Sequence, residues 1–325
     1  GAVLALGIGR AVMLAHRYSR PIEALVAASD RIRLGDLAPG TAIESHVREI
    51  LRLADAHERM RQGLLTLMKL ERDLQLARQI QQQTLPPRLP DVDGFQIAAW
   101  NEPAEETGGD TYDVVGYGAG EGTEAIHVSR EEADRAVLLL ADATGHGIGP
   151  ALSVLQLRAM LRMAIHIHPD IRLIARHVNE QLHMDLPEGR FVTAWFGQIS
   201  ATDHRLIHFS AGQSPLLHYA AGDQTVRLLP ADTVPLGIFH DIEIDGVSST
   251  ELQAGDVFAV ISDGIFEATD PQGVPFGTER AEAAIRTTAA GSASEILVAI
   301  RTSLTEFTQS APAGDDRTIL LVKRA

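Results

Sequence analysis

Two kinds of hydrophobic pattern divide the chain near residue 90. Before that point apolar residues recur every three or four positions, which predicts amphipathic helices. After it they form short runs punctuated by glycine, which predicts strands and turns with a few helices. The stretch "LPPRLP" at 85–90 separates the two parts, because proline lacks the amide donor that a continuing helix needs. We therefore expect a helical region followed by a strand-rich domain.

The first helical stretch, at 1–16, is almost entirely apolar. It is too short to cross a bilayer, since a membrane-spanning helix takes about 20 apolar residues. We interpret it as the cytoplasmic end of a transmembrane helix, with four residues towards the inner face, as the positive-inside rule prefers: Arg10, His16, Arg17 and Arg20. A buried amphipathic helix is the alternative interpretation.

Two further helices are predicted before the proline-rich break. The first starts at Pro21 and is interrupted by "LGDL" at 34–37, and the second starts near Glu44. Apolar and small residues in the second helix alternate in steps of three and four, as in a coiled coil: Leu53, Ala56, Met60, Gly63, Leu67, Leu70, Leu74 and Ala77. We expect this seam to form a parallel homodimer, with packing inside its own chain as the alternative.

Six apolar runs after Phe95 predict strands, and the strands mostly follow one another directly. They are "AVLLLADATGHG", "FVTAWFGQIS", "RLIHFSAG", "PLLHYAAG", "DVFAVISDG" and "RTILLVKR". The intervening "GPALSVLQLRAMLRMAI" predicts a helix with Leu152, Leu155 and Met160 on one face. Strands that pair with strands, with a few long helices, predict an α+β sandwich rather than a βαβ fold.

Charge and composition exclude several functions. Residues 1–90 contain 13 Lys+Arg and 9 Asp+Glu, whereas 91–325 contain 15 and 34, so the strand-rich part is strongly acidic. Such a surface argues against nucleic acid as a partner. The 325-residue chain has no cysteine, which excludes a thiolate metal site and a cysteine nucleophile for phosphate ester cleavage.

Four acidic motifs share one context, the end of a strand or a glycine-lined loop. They contain Asp110 in "GGDTYD", Asp142 in "LADATGHG", Asp263 in "ISDGIFEA" and the pair Asp315-Asp316 in "AGDDRT". One such motif could be a plain glycine turn. Four in one domain concentrate negative charge that needs cations, and Mg²⁺ or Mn²⁺ prefers oxygen ligands. The glycines let the backbone approach the ions.

At these residues the chain resembles the SpoIIE-type phosphatases of the metal-dependent PPM family over roughly residues 93–325. The shared motifs occur in the family's order: "ETGGDTYDVV", "DATGHGIGPAL", "SAGQSPLL", "PLG", "GDVFAVISDGIFEA" and "DDRT". The resemblance implies an αββα sandwich, in which two antiparallel sheets are flanked by helices. It also implies hydrolysis of phosphoserine or phosphothreonine by water at a centre of two Mn²⁺ or Mg²⁺ ions.

The resemblance assigns metal ligands among these motifs: Asp110, Asp142, Ala143 through its carbonyl, Asp263 and Asp315. Asp142 would bridge both ions, and Asp142 and Asp263 would be the catalytic residues. Either Asp315 or Asp316 would be the last of these metal ligands. His146 is either a general acid or a turn residue. Gln213 stands where family members often carry histidine, outside the inferred metal shell, and is expected to affect substrate contacts.

The helical part resembles a HAMP domain, and "LARQIQQQTLP" (76–86) is similar to the helix before the catalytic domain of RsbU-like members. The expected domains are the end of a transmembrane helix (1–16), a HAMP-like domain (17–68), a regulatory coiled-coil linker (69–92) and the phosphatase domain (93–325). This organisation implies a bacterial inner-membrane protein whose catalytic domain is cytoplasmic.

The expected substrate is a phosphorylated regulatory protein, and the family suggests a STAS-type anti-sigma-factor antagonist. Two other functions stay open at this point. One is a pseudophosphatase that binds a phosphoprotein without cleaving it, and the other is a signalling adaptor that acts through its helical seam. The linker helix either transmits motion to the catalytic domain or is a passive spacer.

Overall fold

The computed structural model describes residues 2–40, 42–119, 126–129, 132–242, 244 and 246–325. The chain divides into two compact units, Gly1–Leu76 and Ala77–Ala325. The first unit is helical. Its elements are α1 (Ala2–Leu14), a π-helical turn (Ala15–Ser19), α2 (Arg20–Arg33) and most of α3 (Arg48–Thr84), whose last turns belong to the second unit.

The break between α2 and α3 lies where the sequence predicts it. Helix α2 ends at Arg33, and Gly35 adopts a φ of 83°, a left-handed conformation that glycine tolerates best. Helix α3 begins at Arg48, so the expected start near Glu44 is wrong. The Ser45 hydroxyl accepts a hydrogen bond from the Val47 amide at 3.1 Å, and such local bonds compete with helix formation.

The first unit has a small interior. Leu25 of α2, Leu37 of the connector and Ile50 of α3 are buried. Arg61 donates a hydrogen bond to the carbonyl oxygen of Leu37 at 2.6 Å, and Glu58 binds the same guanidinium. The connector is therefore fixed to α3 by both apolar packing and an ion-paired arginine.

Two sheets form the second unit. Their strands are β1 (Asp91–Val92), β2 (Phe95–Glu102), β3 (Asp110–Ala119), β4 (Ile126–Ser129), β5 (Glu132–Ala133), β6 (Arg135–Ala143), β7 (Val192–Ser200), β8 (Arg205–Ala211), β9 (Leu216–Ala220), β10 (Thr225–Leu229), β11 (Ser248–Glu251), β12 (Val257–Ile261) and β13 (Arg317–Arg324). One sheet has the order β10-β9-β12-β13-β2-β1-β5 and the other β11-β8-β7-β6-β3-β4. All pairs are antiparallel except the short β1–β5 pair.

Five helices accompany the sheets: α4 (Ile148–Ile167), α5 (Ile171–Asp185), α6 (Asp263–Phe266), α7 (Gly277–Thr288) and α8 (Ala293–Phe307). Helices α4 and α5 cover the six-stranded sheet, and α7 and α8 cover the seven-stranded sheet. A third apolar cluster, which includes Trp195 and Phe258, lies between the sheets. The α+β prediction of an αββα sandwich is confirmed.

Helix α4 is correctly predicted, but its buried face is not the expected one. Leu152 is exposed and Leu155 and Met160 are partly buried, whereas four other residues are completely buried: Val154, Leu157, Leu161 and Ile165. Within the described residues, α4 is also the one helix long and apolar enough to span a membrane. Because its buried face packs against the six-stranded sheet, it is weak evidence for a membrane span.

Candidate metal centre

The strand register brings two of the predicted aspartates together. In the antiparallel β3–β6 pair Asp110 lies directly opposite Asp142. Like charges at directly opposed positions destabilise a sheet. The fold therefore holds two carboxylates side by side at the ends of two inner strands of the six-stranded sheet, although their repulsion opposes this placement.

The other two motifs lie at the end of a strand pair in the seven-stranded sheet. Strands β12 and β13 are antiparallel with Ile261 opposite Ile319, so Asp263 after β12 and Asp315 before β13 leave the sheet on the same side. The charges of this pair also affect the pKa of Asp142. Burial, followed by the charges of Asp263, Asp315 and Asp316, raises the pKa of Asp142 to about 7.

Asp110 is the most deeply buried member of this group, with 3% of its surface exposed. Its Oδ2 atom is buried and has no hydrogen-bond partner. Burial and the charge of Asp142 raise the pKa of Asp110 well above its usual value, and the hydroxyls of Thr318 and Ser262 oppose the rise. A buried carboxylate oxygen without a donor is costly unless a cation reaches it.

Asp315 and Asp316 are used differently. Asp316 is buried, and its two carboxylate oxygens accept hydrogen bonds from the amides of Ala104 and Gly109. Asp315 is exposed, and its Oδ1 accepts from the Asp316 amide at 2.8 Å. Asp316 therefore fixes the 104–109 loop, whereas Asp315 Oδ2 has no hydrogen-bond donor among the described residues.

The glycine before Asp110 is needed for close backbone packing. A Cβ atom on Gly109 would lie 2.6 Å from the carbonyl oxygen of Ala143 and 3.3 Å from Asp142 Oδ1. The Gly109 carbonyl in turn accepts a hydrogen bond from the Ala143 amide at 3.0 Å. The expectation that glycine gives the backbone room beside these carboxylates agrees with this geometry.

The donor set fits a hard divalent cation. Among the described residues, none of the ion pairs includes Asp110, Asp142, Asp263 or Asp315, so no protein cation compensates them. In the same part of the chain no three His, Cys, Asp or Glu side chains converge closely enough to hold one ion. Neighbouring carboxylates without a closed cage suit Mg²⁺, which takes one or two carboxylates and keeps several waters.

The loop after β6 is held by Arg190, a residue of the α5–β7 connection that the sequence analysis missed. Arg190 donates a hydrogen bond to the carbonyl oxygen of Thr144, two residues after Asp142. His146 in the same loop is largely exposed, with its Nδ1 3.4 Å from Glu105 Oε1. The position of His146 near the protein surface leaves both expected roles open, while Arg190 stabilises the loop.

Two further contacts join the end of α3 to the loop that precedes Asp110. The Gln81 amide donates to the carbonyl oxygen of Gly108 at 2.7 Å and accepts from the Gly108 amide at 3.1 Å. Arg78 lies 3.2 Å from Glu106. The sequence left open whether this helix transmits motion or is a passive spacer, and it did not identify these partners.

Gln213 does not lie where the sequence analysis placed it. The residue is 4% exposed and its side chain is hydrogen bonded within the interior. A protein substrate cannot contact a side chain buried to this extent. The expectation that Gln213 affects substrate contacts directly is therefore wrong, because its loop folds between the two sheets.

A sandwich of two sheets flanked by helices, with aspartates gathered at one edge, is the architecture of PP2C-type protein phosphatases. The solved SiaA-PP2C domain of Pseudomonas aeruginosa is similar in fold, with a TM-score of 0.63, 21% identity, and coverage of 80% of this chain and 98% of that one. The RsbU and RsbW domains of Rv1364c from Mycobacterium tuberculosis give a TM-score of 0.59 at 28% identity, over 73% of this chain and 61% of that one.

Residues 132–325 match the family model of stage II sporulation protein E (SpoIIE), and the chain belongs to that family. Its second unit is a PP2C-type phosphatase domain. The phosphoserine phosphatase RsbU of Bacillus subtilis (strain 168) is 24% identical over 262 residues, which cover 79% of this chain and 71% of that protein. The chain thus spans 61% to 71% of the length of RsbU and the M. tuberculosis protein.

Proposed function

We propose that this protein is a metal-dependent phosphatase that hydrolyses phosphoserine or phosphothreonine on a regulatory protein. The observation that carries the proposal is the pairing of Asp110, which is buried, with Asp142, which is half-buried, at the ends of β3 and β6, with no ion-pair partner for either among the described residues. Membership of the SpoIIE family supports the same reaction. No cysteine is present to serve as an alternative nucleophile.

The proposed centre holds two Mn²⁺ or Mg²⁺ ions. Its ligands are the four carboxylates and one carbonyl inferred from the motifs, namely Asp110, Asp142, Ala143, Asp263 and Asp315. Such ions, when bound, supply a nucleophile from water near neutral pH and neutralise the phosphoryl oxygens. The protein's own contribution is to hold the carboxylates at fixed spacing, with Asp316 anchoring the loop before Asp110 through two backbone amides.

The proposed substrate is a STAS-type antagonist of an anti-sigma factor that carries a phosphoserine or phosphothreonine. Similarity to RsbU, whose name describes a phosphoserine phosphatase, supports this class of substrate. An acidic domain surface is consistent with a protein substrate rather than a nucleic acid.

Binding a phosphoprotein without hydrolysis is the second candidate. One observation favours it: within the described residues no three ligating side chains converge on a single point. Hydrolysis is the better proposal because all four aspartate motifs are present, and because burial and neighbouring carboxylates raise the pKa values of Asp110 and Asp142.

Phosphate release from a phosphoserine peptide by the full chain distinguishes these candidates. The protein is first stripped of metal with EDTA, and Mn²⁺ or Mg²⁺ is then added back. We expect turnover only with added metal, and turnover reduced by orders of magnitude in Asp142→Asn but unchanged in Asp241→Asn, where an exposed carboxylate is removed. Full turnover in EDTA after verified metal removal would contradict the metal mechanism, and peptide binding without turnover would support the second candidate.

We further propose that the chain is a parallel dimer tethered to the bacterial inner membrane by residues 1–16, with the catalytic domain in the cytoplasm. Exposed apolar side chains along the α3 seam support the dimer: Leu53, Met60, Leu67 and Leu70 are each at least half exposed in the single chain. The seam would bury these side chains against a second copy.

Replacing Leu67, Leu70 and Leu74 with glutamate tests the dimer, because it places like charges across the seam. We expect monomers by light scattering. The matched control introduces glutamate at three exposed residues outside the seam, Thr66, Gln75 and Gln79. This control is expected to stay dimeric. A monomeric parent protein would contradict the proposal, and recovery of the parent from the soluble fraction of bacteria without detergent would contradict the tether.

The end of α3 is proposed to regulate the metal centre. Gln81 makes two hydrogen bonds with Gly108, which is two residues from Asp110. A four-residue Gly/Ser insertion after Leu70 should change turnover several-fold by breaking helical register and stiffness. Gln81→Ala should also change turnover, whereas Gln82→Ala, at an exposed neighbour, should not. Equal turnover and metal affinity in the insertion variant and the parent would make α3 a passive spacer.

A further inference from the structure

The side chain of Gln213 links the two sheets beside the metal centre. Its Nε2 donates a hydrogen bond to the carbonyl oxygen of Ile261 at 3.0 Å, and its Oε1 accepts from the Thr193 hydroxyl at 3.2 Å. The loop that carries it is itself held, because the Ser210 hydroxyl donates to the Gln213 carbonyl. Both ends of a buried amide are therefore used, one on each sheet.

The two partners of Gln213 are placed next to the catalytic aspartates. Thr193 of β7 lies directly opposite Asp142 of β6. Ile261 is the last residue of β12, two positions before Asp263. The amide thus connects the strand pair that ends in Asp142 with the strand that leads to Asp263.

Asp142 lies opposite Thr193 and Asp263 lies two positions after Ile261, so the two like-charged carboxylates stand on either side of this link and repel each other when ionised. Their strands belong to different sheets, so no ladder hydrogen bond fixes the distance between them. A hydrogen-bonded link between the two strand ends opposes this repulsion. Buried amides of this kind resist displacement, because an unmade hydrogen bond leaves a desolvated polar group.

We propose that Gln213 is a positioning residue that fixes the separation of Asp142 and Asp263 across the two sheets and thereby sets the affinity of the centre for divalent ions. The inference rests on the proposed metal-dependent function. It differs from a role in core packing, which would affect the free energy of unfolding without a specific effect on metal affinity. Partners that orient metal ligands typically change metal affinity by about 10- to 100-fold when they are lost.

The test is Mn²⁺ titration of the metal-free full chain by calorimetry, together with chemical denaturation in EDTA. Gln213→Met keeps the length of the side chain but removes both hydrogen bonds. We expect at least about tenfold weaker Mn²⁺ binding, with a matching rise in the Mn²⁺ concentration that gives half-maximal turnover. Turnover at saturating Mn²⁺ should fall less, because the ligands themselves are intact.

Asn179→Leu is the matched control. Asn179 is 1% exposed, and its side-chain amide bonds the backbone of Gly237, Phe239 and His240, none of which belongs to an aspartate motif. This variant should lower the free energy of unfolding and leave Mn²⁺ affinity unchanged. Thr193→Val removes only one of the two Gln213 hydrogen bonds and should weaken Mn²⁺ binding to a smaller extent. If Gln213→Met does not fold, Thr193→Val alone tests the positioning role.

The outcomes separate this inference from the proposed function. If the parent protein binds no Mn²⁺, the metal-dependent function itself is wrong. If the parent binds Mn²⁺ and both Gln213→Met and Thr193→Val bind it within about twofold of the parent, which is under 0.5 kcal/mol, Gln213 serves only core packing. Weakened binding in the Gln213 and Thr193 variants, but not in Asn179→Leu, supports the positioning role.

Discussion

Strand β3 carries two buried aspartates, Asp110 and Asp113, that have opposite surroundings. Residues three apart on a strand point to opposite faces, so Asp110 faces the space between the sheets and Asp113 faces helix α4. Asp113 is completely buried and lies 2.9 Å from Arg158 and 2.6 Å from Arg162, the latter a bidentate pair. Asp110 is almost as deeply buried and has no ion-paired partner among the described residues.

The comparison shows that burial of a carboxylate does not identify its role. Asp113 is neutralised by two guanidinium groups and joins α4 to the sheet, which is a structural arrangement. Asp110 is opposed by a second carboxylate, Asp142, so the fold supplies repulsion where the other site supplies attraction. A bound cation would offset this repulsion, so the proposed metal centre lies at Asp110 and not at Asp113.

The largest difference should appear in catalysis. Asp110→Asn removes a proposed ligand, so turnover on a phosphoserine peptide should fall by orders of magnitude. The same variant should have a higher free energy of unfolding in EDTA, because the repulsion with Asp142 is lost. Lower stability in EDTA together with normal turnover would place Asp110 in the same structural class as Asp113.

Asp113→Asn should show the reverse behaviour. Removing one partner of a buried ion pair typically destabilises by about 3–5 kcal/mol, since Arg158 and Arg162 are left without their counter-ion. Turnover per folded molecule should stay near that of the parent. Urea denaturation and active-site titration measure the two quantities, and a large loss of turnover at unchanged stability would contradict the distinction.

His208 extends the comparison to a buried titratable group that is not a proposed metal ligand. It packs against Phe258, with ring centroids 4.9 Å apart, and neither ring nitrogen has a hydrogen-bond partner. Burial lowers the pKa of His208 to about 4. In the unfolded chain the pKa of histidine is about 6.5. The contribution of buried, neutral His208 to the free energy of unfolding is therefore complete above pH 6.5 and is lost as the pH falls towards 4.

The loss should amount to about 3 kcal/mol between pH 6.5 and pH 4. It is measured as the difference between the parent and His208→Phe in urea denaturation at several pH values, both in EDTA. The variant should lack this component of the pH dependence. Identical pH profiles would show that burial of His208 does not disfavour its charged form.

Gly109→Ala should produce the smallest effect. The added methyl group would lie 2.6 Å from the Ala143 carbonyl oxygen, which has to move. We expect turnover to fall by about tenfold, equivalent to about 1.4 kcal/mol, with the Mn²⁺ requirement raised. Gly222→Ala, where a Cβ has no neighbour within 4 Å, is the control. Equal turnover in both variants would show that the position of the Ala143 carbonyl oxygen is not critical for turnover.

The sequence predicted the aspartate motifs and most strands because both depend on local patterns. The run "RTILLVKR" is strand β13 to the residue, and the glycine before Asp110 lies at a close backbone approach. Register is a tertiary property, so the pairing of Asp110 with Asp142 could not be read from the chain. The arginine partners of Asp113 lie 45 and 49 residues later, and nothing local connects them.

The errors have physical causes. Helix α4 carries apolar residues around much of its circumference, so periodicity did not decide which face the sheet would cover. Gln213 is polar and lies in a glycine-containing loop, which usually indicates an exposed position. Its burial follows from packing between two sheets, and the contact with Ile261 joins residues 48 positions apart.

Binding of Mn²⁺ to the metal-free full chain, measured by calorimetry, tests the central claim most directly. The account predicts two ions per chain for the parent and for Asp113→Asn, and at least about tenfold weaker binding for Asp110→Asn and Asp142→Asn. If the parent binds no Mn²⁺, or if Asp110→Asn binds it as tightly as the parent, the carboxylates of Asp110 and Asp142 are not part of a metal centre.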